Sequence, residues 1–294
     1  MKIIMYHNIK KYEKKLPYQN FLDIKKFEKQ IKFFKKKYGL ISSKKEIFKE
    51  NNKILLTFDD GFKHHLKIAK ILDKHKSIGL FFICSKPLIK KTILPVHKIH
   101  LILSQIKPEK ALEYLKKIIR EKKIFFKFRN ILRFKKTYEN QLDSYQKKEF
   151  KRIINYFMDN SKKNSILNQI LRKFKINYNI NSYYLNSRDI LKLYKMGMLI
   201  GNHGYSHDIL SNMSLVDQEI EISYSKTILE KIIKDKIDFF CYPYGGPNSY
   251  NSTTLKLLKK NQYSLSFDVK PNDVNLKELI KNPYRIPRYD CNLF

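Results

Sequence analysis

Short runs of apolar residues recur along the chain, and most are rich in Ile, Leu, Phe and Tyr. Runs that are apolar almost throughout are typical of strands buried on both faces of a parallel sheet. Patterns of helical spacing lie between them. The order of elements therefore predicts an α/β fold. The predicted strands are Lys2–His7, Lys53–Asp60, Gly79–Cys84, Met198–His203, Asp238–Tyr244 and Tyr263–Val269.

Three amphipathic helices are predicted in the same part of the chain. Small polar residues before an apolar pattern favour a helix start, and glycine after it favours a helix end. The predicted helices are Phe27–Tyr38; Arg188–Met196, capped by Ser187 and ended by Gly197; and Leu215–Ile233, capped by Ser214.

Residues 95–185 have a different pattern. They contain no glycine, and apolar residues such as Phe150, Ile153, Ile154 and Phe157 recur at helical spacing. One crossover between parallel strands does not need roughly 90 residues. The stretch has 22 Lys and Arg against 7 Asp and Glu, a net charge of +15. We predict one domain over residues 1–294 with an all-helical basic insertion at 95–185.

The whole chain is strongly basic, with 61 Lys and Arg against 27 Asp and Glu, a net charge of +34. Such an excess attracts polyanions, and an acidic glycolipid or an anionic membrane surface is the expected partner. The abundance of Lys, Asn and Ile, with 8 Gly and no Trp, is also typical of an AT-rich coding sequence. Part of the charge therefore need not be functional. The sequence contains no recognised nucleic-acid-binding module, so we expect no specific nucleic-acid partner.

Hydropathy gives an expectation for localisation. No apolar run reaches the ~18 residues of a membrane helix. After Lys2, His7 interrupts the apolar run before it reaches the ~7–15 residues of a signal-peptide core. We expect a cytoplasmic protein, peripheral at the inner face of the membrane.

Residues with reactive side chains follow the predicted strands. Asp59 and Asp60 end the second strand, His203 ends the fourth, and His207 comes four residues later. Active sites of α/β barrels lie at the carboxyl ends of the strands. Taken singly, the aspartates fit a solvated turn and the histidines fit ordinary surface or core positions. Together, a carboxylate and two imidazoles form a three-ligand set that suits a catalytic divalent ion.

Three segments resemble the polysaccharide deacetylase family with NodB homology. Thr57-Phe58-Asp59-Asp60-Gly61 matches its first motif, and His203-Gly204-Tyr205-Ser206-His207 resembles its second. Phe240-Cys241-Tyr242-Pro243-Tyr244-Gly245 is similar to the third, Arg-x-Pro-Tyr-Gly. The resemblance implies a distorted (β/α) barrel of about seven strands. It also implies hydrolysis of the N-acetyl group of an amino sugar in a bacterial surface glycan or its precursor.

The resemblance also implies residue roles. One divalent ion is expected, with Zn as the first choice and Co, Mn or Ni as alternatives. The implied roles are metal binding by Asp60, His203 and His207; general base catalysis by Asp59; oxyanion binding by the Tyr244 backbone; and substrate contact by Tyr244, Pro243 and His7.

The chain departs from the family pattern in two places. Cys241 stands where the third motif has an arginine that steadies the catalytic aspartate, and no histidine follows His207 to act as a late general acid. Another arginine is therefore expected to reach Asp59. Arg285 and Arg288 lie in the last extended segment, Tyr284–Tyr289, which is expected to close the barrel beside the first strands. The two arginines point to opposite faces of a regular strand, so only one can serve. Arg288 is favoured because Pro287 fixes the chain before it.

Two other functions remain open. Cys241 and the missing late histidine are compatible with a glycan-binding module that has kept the fold without activity. The same metal site would also suit an O-acetyl esterase.

Overall fold

The structure is a computed structural model that describes residues 1–14, 16–139, 141, 143–246 and 248–294. It contains two compact units. The first comprises Met1–Lys11, Phe21–Thr92 and Ile180–Phe294, and the second comprises Tyr12–Asn20 and Ile93–Asn179. The predicted insertion therefore lies mostly in the second unit, which also includes Tyr12–Asn20. The description of the chain as one domain with an insertion stays a prediction.

Seven parallel strands of the first unit form one sheet, in the order β8-β7-β6-β5-β4-β1-β9, and two short strands, β2 and β3, pair separately. The strands are β1 (Lys2–Tyr6), β2 (Ile9–Lys10), β3 (Leu22–Asp23), β4 (Ile54–Phe58), β5 (Gly79–Ile83), β6 (Leu199–Asn202), β7 (Phe239–Cys241), β8 (Leu265–Phe267) and β9 (Tyr289–Asp290).

The six predicted strands are confirmed, and each is slightly shorter than predicted. Their terminal residues leave the sheet to begin the loops that carry the site. The pair β2 and β3 was not predicted, because a two-residue strand shows no periodicity.

The last segment of the chain links the two ends of the sheet. Ile286 forms a parallel bridge with Phe267 of β8, and Tyr289 of β9 pairs with Ile4 of β1. The sheet therefore curls round on itself, and the predicted distorted barrel of about seven strands is confirmed. The expected role of Tyr284–Tyr289 as the closing segment is also confirmed.

Both faces of the sheet are buried, which explains the continuous apolar runs. Leu55, Phe82 and Phe239 belong to a cluster shared by strands around the sheet, as expected inside a barrel. Leu56 and Phe81 belong to a second cluster, formed with the surrounding helices. Alternate residues of each strand thus point into and out of the barrel.

Helices cover the outside of this sheet. The predicted helix Arg188–Met196 begins at Ser187, one residue earlier than predicted. The Asn186 side chain caps it by accepting the Asp189 N–H at 3.0 Å. Ser187 is therefore not the cap. The helices of this unit are α1 (Ile24–Lys37), α2 (Lys44–Ile47), α3 (His65–Lys74), α4 (Lys86–Lys90), α10 (Ser187–Lys195), α11 (Leu215–Glu219), α12 (Ser225–Ile233), α13 (Ser252–Lys260) and α14 (Leu276–Lys281).

The predicted helix Leu215–Ile233 is interrupted. A π-helical turn, Ile220–Tyr224, separates α11 from α12, and Ser214 caps α11 as predicted. π-helical turns inside helices are frequent at functional sites.

In its described residues, the second unit contains only helical regular structure. Across the described chain, no helix is both long enough and apolar enough to span a membrane. The helices are α5 (Pro95–Gln105), α6 (Pro108–Glu121), α7 (Phe128–Phe134), α8 (Tyr145–Arg152) and α9 (Asn160–Lys173), with a π-helical turn at Ile153–Phe157.

Candidate active site

Residues from four parts of the barrel meet at its carboxyl end. Strand alternation directs Asp59 after β4, His203 after β6 and Cys241 at the end of β7 towards the barrel interior. Arg288, just before β9, points inward like Ile286. All four side chains are buried, and Arg288 is only 1% exposed. A carboxylate and a guanidinium are thus both removed from water, so each needs a partner.

Arg288 and Asp59 are partners. Arg288 Nη1 donates to Asp59 Oδ1 at 2.8 Å and Nη2 donates to Oδ2 at 2.9 Å. Burial alone would raise the pKa of the Asp59 carboxyl, but the Arg288 charge, together with His203, His7 and the Arg288 hydrogen bond, holds the pKa at about 2. Asp59 is therefore ionised and fixed by a two-pronged contact. The contact expected for Arg288 is present, whereas Arg285 is exposed.

Cys241 explains how this arginine fits. Arg288 Nη2 lies 2.9 Å from Cys241 Sγ, and the thiol lies 3.6 Å from Asp59 Oδ2. Burial raises the pKa of the Cys241 thiol well above its usual value, so the side chain is neutral. A small neutral residue at this position leaves room for a guanidinium that arrives from the last segment.

Asp60, His203 and His207 form a second cluster. Asp60 Oδ1 lies 3.6 Å from His203 Nε2 and 3.4 Å from His207 Nε2. One ligand atom from each of the three residues lies within 4.8 Å of the others. Ligands that bind one ion at ~2.0–2.2 Å are expected at such mutual distances.

The protonation of His203 suits a metal ligand. Its Nδ1 lies 2.9 Å from the Cys241 carbonyl oxygen, which can only accept, so Nδ1 carries the proton. Nε2 then presents its lone pair towards Asp60. Burial lowers the pKa of His203, although Asp59 and Asp60 oppose this, so the neutral ring is favoured. A hydrogen bond that fixes the second ring nitrogen is the usual support of a metal-binding histidine. These donors therefore fit a divalent ion.

Asp59, His203 and Cys241 also lie close enough to hold an ion. This set fits less well, because Arg288 occupies both Asp59 oxygens and the Cys241 thiol is protonated. The predicted set of Asp60, His203 and His207 is the better candidate.

Three residues of the site have strained backbone conformations. Asp60, His207 and Tyr244 have φ angles of 78°, 60° and 67°. A non-glycine residue in this region costs of order 1–3 kcal/mol and is often found at functional sites. The three residues follow three different strands, so the strain is concentrated at the mouth of the barrel.

The predicted substrate contacts surround this mouth. His7 Nε2 lies 3.7 Å from Asp59 Oδ2, and its side chain is 42% exposed. His65 Nε2 donates to the His7 carbonyl oxygen at 2.9 Å and so fixes the main chain there. The Tyr244 ring lies 5.0 Å from the His207 ring, measured between centroids. Pro243 is buried, whereas Tyr244 after it is partly exposed, so the predicted substrate contact by the Pro243 side chain stays a prediction.

Glu221, in the π-helical turn, was missed by the sequence analysis. Its carboxylate accepts the backbone N–H groups of Tyr205 at 2.8 Å and Ser206 at 2.9 Å, and the Ser206 hydroxyl at 2.5 Å. Burial raises the pKa of Glu221 to about 7, although the hydrogen bonds from Ser206 oppose this. Gly204 has φ +78°, and a Cβ there would lie 2.7 Å from Glu221 Oε2. Glu221 thus holds the loop between the two histidines.

A sequence signal for Glu221 exists. Gln218, Glu221 and Ser225 occupy buried positions at helical spacing. A charged residue on the buried face of a helix needs a partner, which indicates a structural or functional role.

Comparison with known proteins agrees with the motifs. Residues 135–266 match the family model described as polysaccharide deacetylase. The match includes His203, His207 and the segment from Cys241 to Tyr244, but not Asp59. The resemblance predicted from the motifs is therefore confirmed. No curated protein sequence matches the chain.

Solved structures share the fold. Streptococcus pyogenes deacetylase PplD has a TM-score of 0.60 and 14% identity, over 99% of this chain and 91% of that protein. IcaB from Ammonifex degensii has a TM-score of 0.56 and 13% identity, over 98% and 89%. A polysaccharide deacetylase from Bacillus cereus has a TM-score of 0.58 and 16% identity, over 98% of this chain but only 64% of that protein. At these identities the likeness shows the fold alone.

Arg288→Lys should lower turnover at least ~10-fold with bound metal unchanged, because lysine cannot reproduce the two-pronged contact with Asp59. The measurement is steady-state kinetics together with metal analysis. Arg285→Lys, an exposed change in the same segment, is the control and should behave as wild type. Wild-type turnover by Arg288→Lys would contradict the positioning role.

Glu221→Gln should reduce the free energy of unfolding by about 1–3 kcal/mol, because an amide leaves buried donors unsatisfied. It should also weaken metal binding about 10–100-fold, as expected for a residue that holds the ligand loop. Chemical denaturation and metal titration measure the two effects. Glu219→Gln, two residues earlier and partly exposed, is the control. Equal metal affinity in both variants would assign Glu221 a purely structural role.

Proposed function

We propose that the chain is a metal-dependent deacetylase that hydrolyses the N-acetyl group of an amino sugar in a bacterial surface glycan or its precursor. The observation that carries the proposal is the ionised Asp59, fixed by Arg288, next to the candidate metal ligands Asp60, His203 and His207. The family match and the deacetylases of the same fold support it. PplD is described in complex with acetate, the product of such a reaction.

A divalent ion held by Asp60, His203 and His207 would polarise the acetyl carbonyl and acidify the attacking water. Asp59 would accept the proton of that water. A carboxylate of such low pKa is a weak base, so the transfer depends on acidified water and on fixed geometry. Arg288 supplies the geometry by holding both oxygens of Asp59.

Tyr244 is our candidate for the oxyanion donor. Its ring lies beside His207, and its left-handed backbone turns the chain at the mouth of the barrel. Its N–H would donate to the oxyanion, a kind of contact worth ~3 kcal/mol.

His7 is our candidate for the proton donor to the leaving amine. The sequence has no histidine after His207, so the late general acid of the family pattern must be replaced. The partly exposed His7 ring lies 3.7 Å from Asp59, and His65 anchors its main chain. A proton taken up by Asp59 would thus have only a short distance to travel to His7.

We further propose that the protein acts on the cytoplasmic side, at the inner face of the membrane.

The two adjacent aspartates should differ in their effects. Asp59→Asn should lower turnover by at least ~10²-fold while metal stays bound, because a base is lost but not a ligand. Asp60→Asn should lose the metal. Metal analysis and kinetics on the two purified variants test this pair. If both variants keep metal and activity, the two aspartates have no catalytic or metal-binding role and only form a turn.

Release of acetate should occur from N-acetylated and not from O-acetylated glycans. Acetate is measured with nucleotide-linked, lipid-linked and polymeric N-acetylhexosamines, and with O-acetylated counterparts, after loading with Zn. Asp59→Asn is the negative control. Release from O-acetylated substrates alone would identify an esterase. Glycan binding without any release would identify a binding module.

A further inference from the structure

A segment of the second unit is both basic and apolar. Residues 122–136, which we call the basic aromatic segment, contain seven Lys and Arg and no Asp or Glu. They span the end of α6 to just after α7. The metal site and its mechanism make no use of these residues.

The apolar side chains of this segment are exposed. Phe125 is 86% exposed, Phe128 is 71% exposed and Leu132 is 53% exposed. Phe128 and Leu132 are four residues apart in α7 and so lie on one face of the helix. Three large apolar side chains on one short stretch form a patch of the kind that marks an interaction surface.

Other residues of the segment pack against the rest of the second unit. Phe134 is buried, and its ring lies 4.8 Å from the Tyr156 ring. Ile124 is also buried, and the Phe126 ring lies 5.9 Å from the Phe157 ring. Packed apolar residues therefore lie between and beside the exposed ones along the segment, and this packing holds the exposed side chains outward.

Exposed lysines flank these apolar side chains along the sequence. Lys122, Lys123, Lys135 and Lys136 are all exposed. Lys127 lies 3.7 Å from Asp159, but both side chains are largely exposed, so this ion pair is weak. The charges of these five lysines are thus presented to solvent, close in sequence to the apolar patch.

We propose that the basic aromatic segment docks the protein on an anionic lipid bilayer. Aromatic and aliphatic side chains on one face of a short helix enter the interface between headgroups and acyl chains. Flanking lysines are attracted by anionic headgroups. Nucleic acid fits less well, because Leu132 cannot stack on a base and a branched aliphatic residue adds nothing to phosphate binding. The proposal does not depend on the deacetylase reaction.

The test is flotation of the full-length protein with vesicles. Wild type should bind vesicles of phosphatidylcholine with phosphatidylglycerol, and bind vesicles of phosphatidylcholine alone much less. Phe125→Ser with Phe128→Ser and Leu132→Ser should lower the partition coefficient at least ~10-fold. Replacing the four exposed lysines with serine should weaken the preference for phosphatidylglycerol, whereas the rest of the net charge of +34 stays in place. High salt should weaken binding by wild type, because it screens exposed charges.

Leu215→Ser with Val216→Ser is the matched control. These two side chains are 55% and 66% exposed, but Asp217 and Glu219 follow them, so an anionic surface would not attract them. The control should bind vesicles as wild type does, and thermal unfolding should show that all variants fold. Equal loss in the control and the triple variant, or no loss in the triple variant, would overturn the proposal. So would loss of single-stranded DNA binding in these variants with vesicle binding intact. Turnover of a soluble substrate is measured separately, so a failed deacetylase proposal would not affect the result.

Discussion

The ion pair between Arg288 and Asp59 connects the fold to the site. Two buried charges are tolerated only where their geometry is good and their remaining hydrogen-bonding groups are satisfied. Arg288 meets this condition through Asp59, the Thr57 hydroxyl at 3.0 Å and the Asp268 carbonyl at 3.3 Å. Its position depends on the last segment, which bridges to β8 and pairs with β1. The contacts that close the barrel therefore also position the candidate base.

Cys241 and Arg288 show that the partner of a buried carboxylate can come from a part of the chain outside the motif. A motif that lacks its arginine suggests a lost function when it is read along the chain. In the structure, the Arg288 guanidinium reaches Asp59 from the last segment of the chain, and its Nη2 lies 2.9 Å from the small Cys241 thiol. This weakens the main argument for an inactive binding module. The absence of a late histidine is the argument that remains.

The strands and the candidate ligands Asp60, His203 and His207 could be predicted, because buried parallel strands are continuously apolar and reactive side chains follow their ends. The spacing of Glu221 could indicate a buried charge but not its role, because that role depends on a π-helical turn that brings its carboxylate to the backbone N–H groups of Tyr205 and Ser206. The cap of α10 was misassigned because Asn186 and Ser187 are both good caps. Only the reciprocal bond with Asp189 decides between them. Local sequence patterns thus identify strands and helices, whereas the hydrogen bonds in the folded structure decide which of two suitable residues has a given role.

Left-handed backbone conformations at the candidate site have a different cause from those at helix ends. The chain has only 8 glycines, so other residues adopt left-handed conformations. In the described chain, six of these follow a helix end by one or two residues, where glycine is usual: Lys76, Lys91, Lys123, Lys175, Lys234 and Gln262. Scarcity of glycine explains them. Asp60, His207 and Tyr244 follow strands instead. Glycine there would relieve the strain but would remove a carboxylate, an imidazole and a phenol ring. The strain at these three positions is therefore best explained by the need for their side chains.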